Sequence, residues 1–279
     1  MAAVGSSSPE VRAIARQMFA KADPKGGLKA LADVLEDGET LEKQSAIADL
    51  VSAKSREADD VLTAQFDKLL KGELPPATRL DIVNAVKARA ENSSIAERMN
   101  SQLAALESAE TGRAKDDPLA AYRVCLEGGD AAKGKTVYES EALSCRRCHM
   151  IDGGGGAVGP DLSGIGLEKS REYLLESIVD PNKQIAKGFE TLVLVMDSGK
   201  IKSGILQEEK EDTLTMMVGE GITFIVEKDE IDERLTGQSG MPVNLIDNLS
   251  KSELRDLIEF LGTLKTPSAD SETVSTKHE

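Results

Sequence analysis

The stretch Cys145-Arg146-Arg147-Cys148-His149 decides how the chain is interpreted, because it brings two of the three cysteines next to one of the two histidines. Two thiols three positions apart lie on one turn of a helix. Each can therefore add across a vinyl group on the same edge of a porphyrin, and the histidine that follows can bind the iron. The spacing predicts a c-type haem attachment site, with Cys145 and Cys148 as thioether anchors and His149 as an axial ligand.

Two other interpretations of the cysteine pair stay open at this point. A thioredoxin-like redox pair needs a strand–turn–helix context, and the sequence around the pair does not suggest one. A structural zinc site needs four ligands, for which the chain offers only Cys125 and His278 in addition. The neighbours of Cys125 are apolar and instead predict a buried thiol. The specificity of the complete motif favours haem.

Length and charge limit the classes of protein that the chain can belong to. A chain of 279 residues is long enough for two domains. The net charge of −15 argues against nucleic acid as a partner. Residues 117–279 carry 18 basic and 30 acidic side chains, against 16 and 19 in residues 1–116. This acidity is typical of a solvated surface, with attraction of a basic redox partner as the alternative.

The sequence also bears on the cellular location. No stretch of 18 apolar residues occurs, so we expect no membrane span. The first eight residues lack the basic and apolar segments of a signal peptide. Since haem is usually attached covalently outside the bacterial cytoplasm, we expect a periplasmic or otherwise extracytoplasmic location, with the export signal outside this sequence.

Residues 1–116 have the pattern of helical repeats. Apolar residues recur there at helical spacing in short segments. The segments are separated by helix breakers: Asp23–Gly27, Gly38, Gly72 and Pro75-Pro76. Ile14-Ala15 recurs 33 residues later as Ile47-Ala48, and Ile82 follows Ile47 by 35. A period in the mid-thirties predicts an α-solenoid of the HEAT-like kind, for which we favour a packing role over a docking surface.

Helix signals lie on both sides of the cysteine motif. Asp130 can cap a helix over Ala131–Glu139, and Ser250-Lys251-Ser252-Glu253 is a capping box that opens a final helix. Gly134 on the first helix allows the last helix to approach closely, and Tyr138 can pack around that contact. The arrangement resembles small cytochromes c, whose first and last helices cross.

The resemblance to cytochromes c implies roles for three further residues. Gly159-Pro160-Asp161-Leu162 is similar to a segment in which the proline carbonyl accepts the Nδ1–H of the axial histidine and the leucine packs against the haem. The implied residues here are Pro160 and Leu162. Met241 stands in a loop before the last helix, where small cytochromes c keep their sixth ligand, so it is the implied second axial ligand. Three other methionines that could be the sixth ligand fall in strand-like runs, where a buried methionine is usually part of the core: Met196, Met216 and Met217.

The chain between Pro160 and Met241 is longer than a compact cytochrome c requires. Its period changes from helical to alternating over about residues 186–235, which predicts four short strands with tight turns. The strands are expected over Thr191–Met196, Ile201–Gln207, Thr213–Val218 and Ile222–Val226. They would form a small antiparallel sheet or SH3-like barrel inserted in a helical haem domain.

Residues from about 128 to 264 resemble a haem-binding domain of planctomycete and verrucomicrobial proteins. The resemblance rests on the cysteine motif, Gly159–Gly166, Tyr173–Pro181, Lys187–Glu190, Gly240–Pro242 and Asp256–Leu261. In that family the domain often ends a large exported protein, after a propeller resembling sugar dehydrogenases and a HEAT-like region. The resemblance implies that this chain is the C-terminal, electron-accepting part of such a protein.

Together these observations predict a mainly α protein with a β insertion. We expect a HEAT-like helical repeat domain over residues 1–116, a c-type cytochrome domain over residues 117–264 and a disordered tail over residues 265–279. The expected function is single-electron transfer by one covalently attached haem c, to or from a redox partner protein or a fused dehydrogenase, and not enzymatic catalysis. A haem-based sensor with a displaceable sixth ligand is the alternative, and a scaffold built on the solenoid ranks last.

Overall fold

The structure is a computed structural model that describes residues 6–53, 55–90 and 96–266. The chain divides into two compact units, Met1–Gly128 and Gly129–Glu279. The predicted mainly α fold with a small antiparallel sheet is confirmed. Most of the predicted disordered tail, residues 267–279, lies outside the described residues. None of the described helices is both long enough and apolar enough to cross a membrane.

The first unit consists mainly of six helices in the ranges that the structure describes. They are α1 (Pro9–Ala22), α2 (Pro24–Asp37), α3 (Thr40–Ala53), α4 (Arg56–Leu70), α5 (Pro76–Ala90) and α6 (Ala96–Ala114). The predicted break at Asp23–Gly27 is shorter than expected, because Pro24 begins α2 and the Asp23 side chain accepts a hydrogen bond from the Gly26 N–H. Proline fits the first turn of a helix, where its missing N–H is not needed.

The core of the helical unit is built from aliphatic side chains and one aromatic ring. Leu50, Leu62 and Phe66 have no exposed surface. By contrast, Ile14 and Met18 of α1 are 59% and 67% exposed, although their helical spacing suggested a buried face. The helical character of this unit is confirmed, and its assignment to HEAT-like repeats stays a prediction.

A buried ion cluster joins α1 to α3. Glu42 receives hydrogen bonds from Arg12 Nε at 2.8 Å and from Arg16 Nη1 at 2.8 Å. The Glu42 and Arg16 side chains are each 7% exposed. The hydrogen bonds from Arg12, followed by those from Arg16, lower the pKa of Glu42 to about 2. Glu42 is therefore ionised in the folded chain at pH values where it would be protonated in the unfolded chain.

We expect Glu42→Gln to lower the free energy of unfolding by about 2–4 kcal/mol at pH 7, because it leaves two arginines beside an amide in a buried position. Since the folded pKa of Glu42 lies below its unfolded value, its contribution is present above about pH 4.5 and disappears as the pH falls towards 2. Denaturant unfolding followed by far-ultraviolet circular dichroism measures both effects. Glu36→Gln is the control, because the Glu36 side chain that pairs with Lys68 is 56% exposed. Equal losses in the two variants would contradict the prediction.

The boundary between the units lies at Gly128, twelve residues after the predicted one at residue 116. Residues 117–128 pack with the helical unit. Leu119 and Cys125 are buried, and the Gly128 carbonyl accepts a hydrogen bond from Gln44 Nε2 at 2.6 Å. The polar stretch before residue 118 looks like a linker, but the apolar residues after it complete the first core. The predicted burial of Cys125 is confirmed.

The second unit combines short helices with two small sheets. Its helices are α7 (Ala131–Glu139), α8 (Cys145–Cys148), α9 (Ile165–Glu168), α10 (Arg171–Val179) and α11 (Lys251–Thr263), and its first hairpin is β1 (Met150–Ile151) with β2 (Gly154–Gly155). The predicted caps are confirmed: Asp130 accepts from the N–H groups of Ala132 and Lys133, and Ser250 with Glu253 forms a complete capping box.

The predicted crossing of the first and last helices of this unit is confirmed. A Cβ atom added to Gly134 of α7 would lie 1.9 Å from the Asp256 carbonyl oxygen of α11. The rings of Tyr138 and Phe260 pack beside this contact, with their centroids 5.8 Å apart. Only glycine permits backbones to approach this closely, so Gly134 fixes where the two helices cross.

The insertion is a five-stranded antiparallel sheet in the order β6-β5-β4-β3-β7. Its strands are β3 (Glu190–Met196), β4 (Ile201–Glu209), β5 (Thr213–Val218), β6 (Ile222–Glu227) and β7 (Ile231–Ser239). The prediction of four strands, the last of them ending at Val226, was therefore wrong. It missed β7, which pairs with β3 although its sequence is mostly polar, and alternation of apolar residues is the signal that such a strand lacks.

One apolar cluster of the sheet contains Leu194, Met196 and Met216. Arg234 on β7 donates two hydrogen bonds, of 3.0 and 2.9 Å, to the Glu209 carboxylate at the end of β4. Within the described part of the chain, no hydrogen-bonded ladder joins β6 to β7. The antiparallel sheet is thus confirmed, and closure into an SH3-like barrel stays a prediction.

Candidate functional site

The predicted cysteine motif forms a single helical turn. Ser144 precedes it with a φ of 55°, and the helix α8 covers Cys145 to Cys148. His149 follows in an extended conformation, with its N–H donating to the Cys145 carbonyl at 3.0 Å. The two thiols and the imidazole therefore leave one turn within five consecutive residues, as haem attachment requires.

The imidazole of His149 is held in one orientation by Pro160. Nδ1 lies 2.9 Å from the Pro160 carbonyl oxygen, which can only accept, so Nδ1 carries the proton. Burial lowers the pKa of His149, which keeps the ring neutral at pH 7. No hydrogen bond to Nε2 occurs among the described residues. A neutral imidazole with a protonated Nδ1 and an unpartnered Nε2 is the form that binds iron, so the donor set fits the implied group.

The glycine-rich loop, residues 152–159, packs its backbone directly against the motif. The Gly156 N–H donates to the Arg146 carbonyl and the Gly159 N–H to the Cys148 carbonyl, each at 2.8 Å. A Cβ atom at Gly159 would lie 2.7 Å from Cε1 of His149. A side chain at this position would therefore push the imidazole out of place.

Gly159→Ala is expected to displace the His149 ring and to lower the free energy of unfolding by about 1–3 kcal/mol, as overpacking typically does. Denaturant unfolding of the purified protein measures the loss, and the absorption spectrum reports on the iron ligands. Gly154→Ala is the matched control from the same loop, because its Cβ would approach nothing closer than 3.6 Å. Unchanged stability and spectrum in Gly159→Ala would show that the ring does not need this space.

The two motif cysteines are half-buried. Burial raises the pKa of both the Cys145 and the Cys148 thiol, so both are protonated at pH 7. Each cysteine would supply both the sulfur and the proton of a thioether link: the sulfur would bond to one carbon of a vinyl group and the proton would go to the other. In the part of the chain that the structure describes, no three His, Cys, Asp or Glu side chains gather as a metal site.

Comparison with known families agrees with this geometry. Residues 131–209 match the family model of cytochrome c. The match contains Cys145, Cys148, His149, Pro160 and Leu162, and it ends within the insertion, before Met241. A cytochrome c domain implies covalently bound haem c with iron, electron transfer and redox partners. No curated protein matches the chain.

Leu162 and Met241, the two remaining predicted haem contacts, are held by different hydrogen bonds. Leu162 is half-buried, and its N–H donates to the Met150 carbonyl at 2.9 Å beside the motif. Met241 is half-buried just after β7, and its N–H donates to Ser239 Oγ at 3.2 Å. The Ser239 N–H in turn donates to Asn182 Oδ1 at 2.8 Å. These contacts tie the Met241 loop to the segment after α10, and its role as an iron ligand stays a prediction.

Two polar contacts in this domain could not be predicted from the sequence. Tyr138 donates its hydroxyl proton to the His149 carbonyl at 2.8 Å, and burial raises the pKa of Tyr138 to about 12. Ser163 is 4% exposed and its hydroxyl accepts from the Asp152 N–H at 2.8 Å, which holds the glycine-rich loop. The spacing of Tyr138 in α7 signalled only its packing, and nothing in the sequence marks Ser163 as a partner of Asp152.

Proposed function

We propose that residues 129–264 form a monohaem c-type cytochrome domain that transfers single electrons. The observation that carries this proposal is the state of His149. Its Nδ1–H is bound to Pro160, its Nε2 has no hydrogen-bond partner among the described residues, and two thiols lie on the preceding helical turn. When bound, haem c supplies an iron that alternates between Fe(III) and Fe(II).

The residues of the domain keep the site rigid while its charge changes. Cys145 and Cys148 anchor the macrocycle, and the hydrogen bond to Pro160 makes the imidazole a stronger donor in a fixed orientation. The backbone hydrogen bonds from Gly156, Gly159 and Leu162 hold the following segment against the motif. A site whose geometry changes little between oxidation states has a small reorganisation energy, which favours fast electron transfer.

We propose Met241 as the second axial ligand. Its loop is anchored on one side through Ser239 to Asn182 and on the other by the short turn Leu245–Asn248 that precedes α11. Met196 and Met216 are 3% and 0% exposed within the core of the insertion, so either would have to leave that core to reach a haem. A soft methionine ligand favours Fe(II) and raises the reduction potential.

The cytochrome c domain and the family resemblance support a proposal for the cellular setting. We propose an extracytoplasmic location and a dehydrogenase-like electron donor, fused or separate. Residues 190–239 carry 5 basic and 12 acidic side chains. This charge favours approach of a partner with a basic surface, and the association should weaken as salt is added.

A redox titration followed by absorption tests the proposed function. The protein should take up one electron per chain with a single midpoint, and the reduced form should bind carbon monoxide poorly because both axial positions are filled. Ready binding of carbon monoxide to the unmodified protein would favour the haem-based sensor instead. Absence of any haem signal from protein made with haem-ligation machinery would reject both.

A further inference from the structure

We propose that Tyr138 is a positioning residue for the axial histidine. Its hydroxyl holds the main chain of His149 while Pro160 holds the ring, so the crossing of α7 and α11 sets the direction of Nε2. This inference rests on the proposed haem function and deepens it, because it names the contact that links the helical frame to the iron ligand.

The hydroxyl of Tyr138 has no part in the packing that its ring provides. The residue is 4% exposed, and its ring lies against Phe260 with an interplanar angle of 47°. Phenylalanine would fill the same space beside Gly134. The hydroxyl instead reaches the His149 carbonyl oxygen at 2.8 Å. Because this buried hydroxyl bonds to the main chain of the axial histidine, its role is to position that histidine.

The hydrogen bonds of His149 show what Tyr138 adds. The His149 N–H bonds to Cys145 and Nδ1–H to Pro160, at 3.0 and 2.9 Å. Both partners lie in the segment that forms the site itself. The third hydrogen bond, to the His149 carbonyl, is donated by Tyr138, which lies on α7 at its crossing with α11. It is therefore the direct link between the α7–α11 contact and the histidine.

The carbonyl is enclosed on a second side by the hairpin. A Cβ atom at Gly155 would lie 2.2 Å from the His149 oxygen, so the backbone there is in close contact. The carbonyl cannot swing towards the hairpin to find another donor. Loss of the hydroxyl would leave it without this hydrogen bond, and relief requires rotation of the His149 main chain, which also turns the imidazole.

Tyr138→Phe in the holoprotein tests the proposal. The haem-methyl resonances of the Fe(III) protein depend on the orientation of the axial imidazole plane. We expect Tyr138→Phe to change the spread of these resonances while the haem stays covalently attached. Tyr173→Phe is the matched control: Tyr173 lies on α10, and its ring lies 4.7 Å from Nζ of Lys169, which precedes that helix. An unchanged spread in Tyr138→Phe, whatever its stability, would reduce Tyr138 to a structural residue and overturn the proposal.

A second measurement observes the hydrogen bond itself. The chain has two histidines, so histidine labelled with ¹³C at the carbonyl gives two signals in the Fe(II) protein. A carbonyl carbon resonates at higher chemical shift when its oxygen accepts a hydrogen bond, so Tyr138→Phe should move the His149 signal to lower chemical shift, and Tyr173→Phe should not. An unchanged His149 signal in the Tyr138→Phe holoprotein would overturn the proposal, whereas an unmodified protein without haem would contradict the proposed function.

Discussion

Met241→Ala should abolish the weak Met-to-Fe(III) charge-transfer band, lower the reduction potential and let carbon monoxide bind readily to the reduced protein. The physical reason is the loss of a soft sixth ligand, which favours Fe(II) over Fe(III) and blocks the open position. The fold should persist, because Met241 is half-buried in a loop. Absorption spectra of both oxidation states, with and without carbon monoxide, measure all three effects.

The methionines of the insertion provide the controls. Met216→Ala removes a side chain with no exposed surface from the sheet core, which should cost about 2–5 kcal/mol of unfolding free energy. Met196→Ala should behave in the same way. Both should keep the charge-transfer band while folded. If Met241→Ala keeps the band and either core variant loses it, the insertion itself supplies the ligand and the assignment is wrong.

Gly134→Ala should lower the free energy of unfolding of the haem unit by about 2–4 kcal/mol, because added bulk in a tight contact forces the backbones apart. The new methyl group would lie 1.9 Å from the Asp256 carbonyl oxygen and 2.7 Å from Phe260 Cβ. Helix propensity alone would make alanine more stable than glycine here by up to about 1 kcal/mol. The sign of the change in unfolding free energy therefore shows whether the close approach or the helix propensity dominates. Denaturant unfolding followed by the haem absorbance measures it.

Gly262→Ala on the opposite helix α11 is the matched control. Its Cβ would meet nothing closer than the Arg171 guanidinium at 3.8 Å, so the variant should be neutral or slightly more stable. Equal stability of Gly134→Ala and this control would show that close approach at Gly134 does not fix the crossing of the two helices.

The parts of the fold that the sequence predicted are those set by short-range chemistry. The caps at Asp130 and at Ser250 follow from side chains that bond to nearby N–H groups of their own helix, so four residues suffice to recognise them. The contact between the His149 ring and the Pro160 carbonyl was implied by a segment that resembles cytochromes c, and the structure contains it.

The parts that it missed depend on distant partners. Strand β7 is mostly polar and forms because β3 offers it a free edge, which no local pattern reveals. Residues 117–128 follow a charged stretch yet complete the helical core through contacts such as Gln44 with the Gly128 carbonyl. The hydroxyl of Tyr138 bonds to a carbonyl eleven residues away. The aromatic ring would pack equally well without its hydroxyl, so the sequence pattern does not reveal this hydrogen bond.

The central claim is that this chain carries one haem bound covalently through Cys145 and Cys148. The direct measurement is the intact mass of protein made with haem-ligation machinery, taken after acid–organic extraction has removed any haem that is not covalently bound. The expected mass is that of the polypeptide plus one haem. A mass equal to that of the bare polypeptide would contradict it.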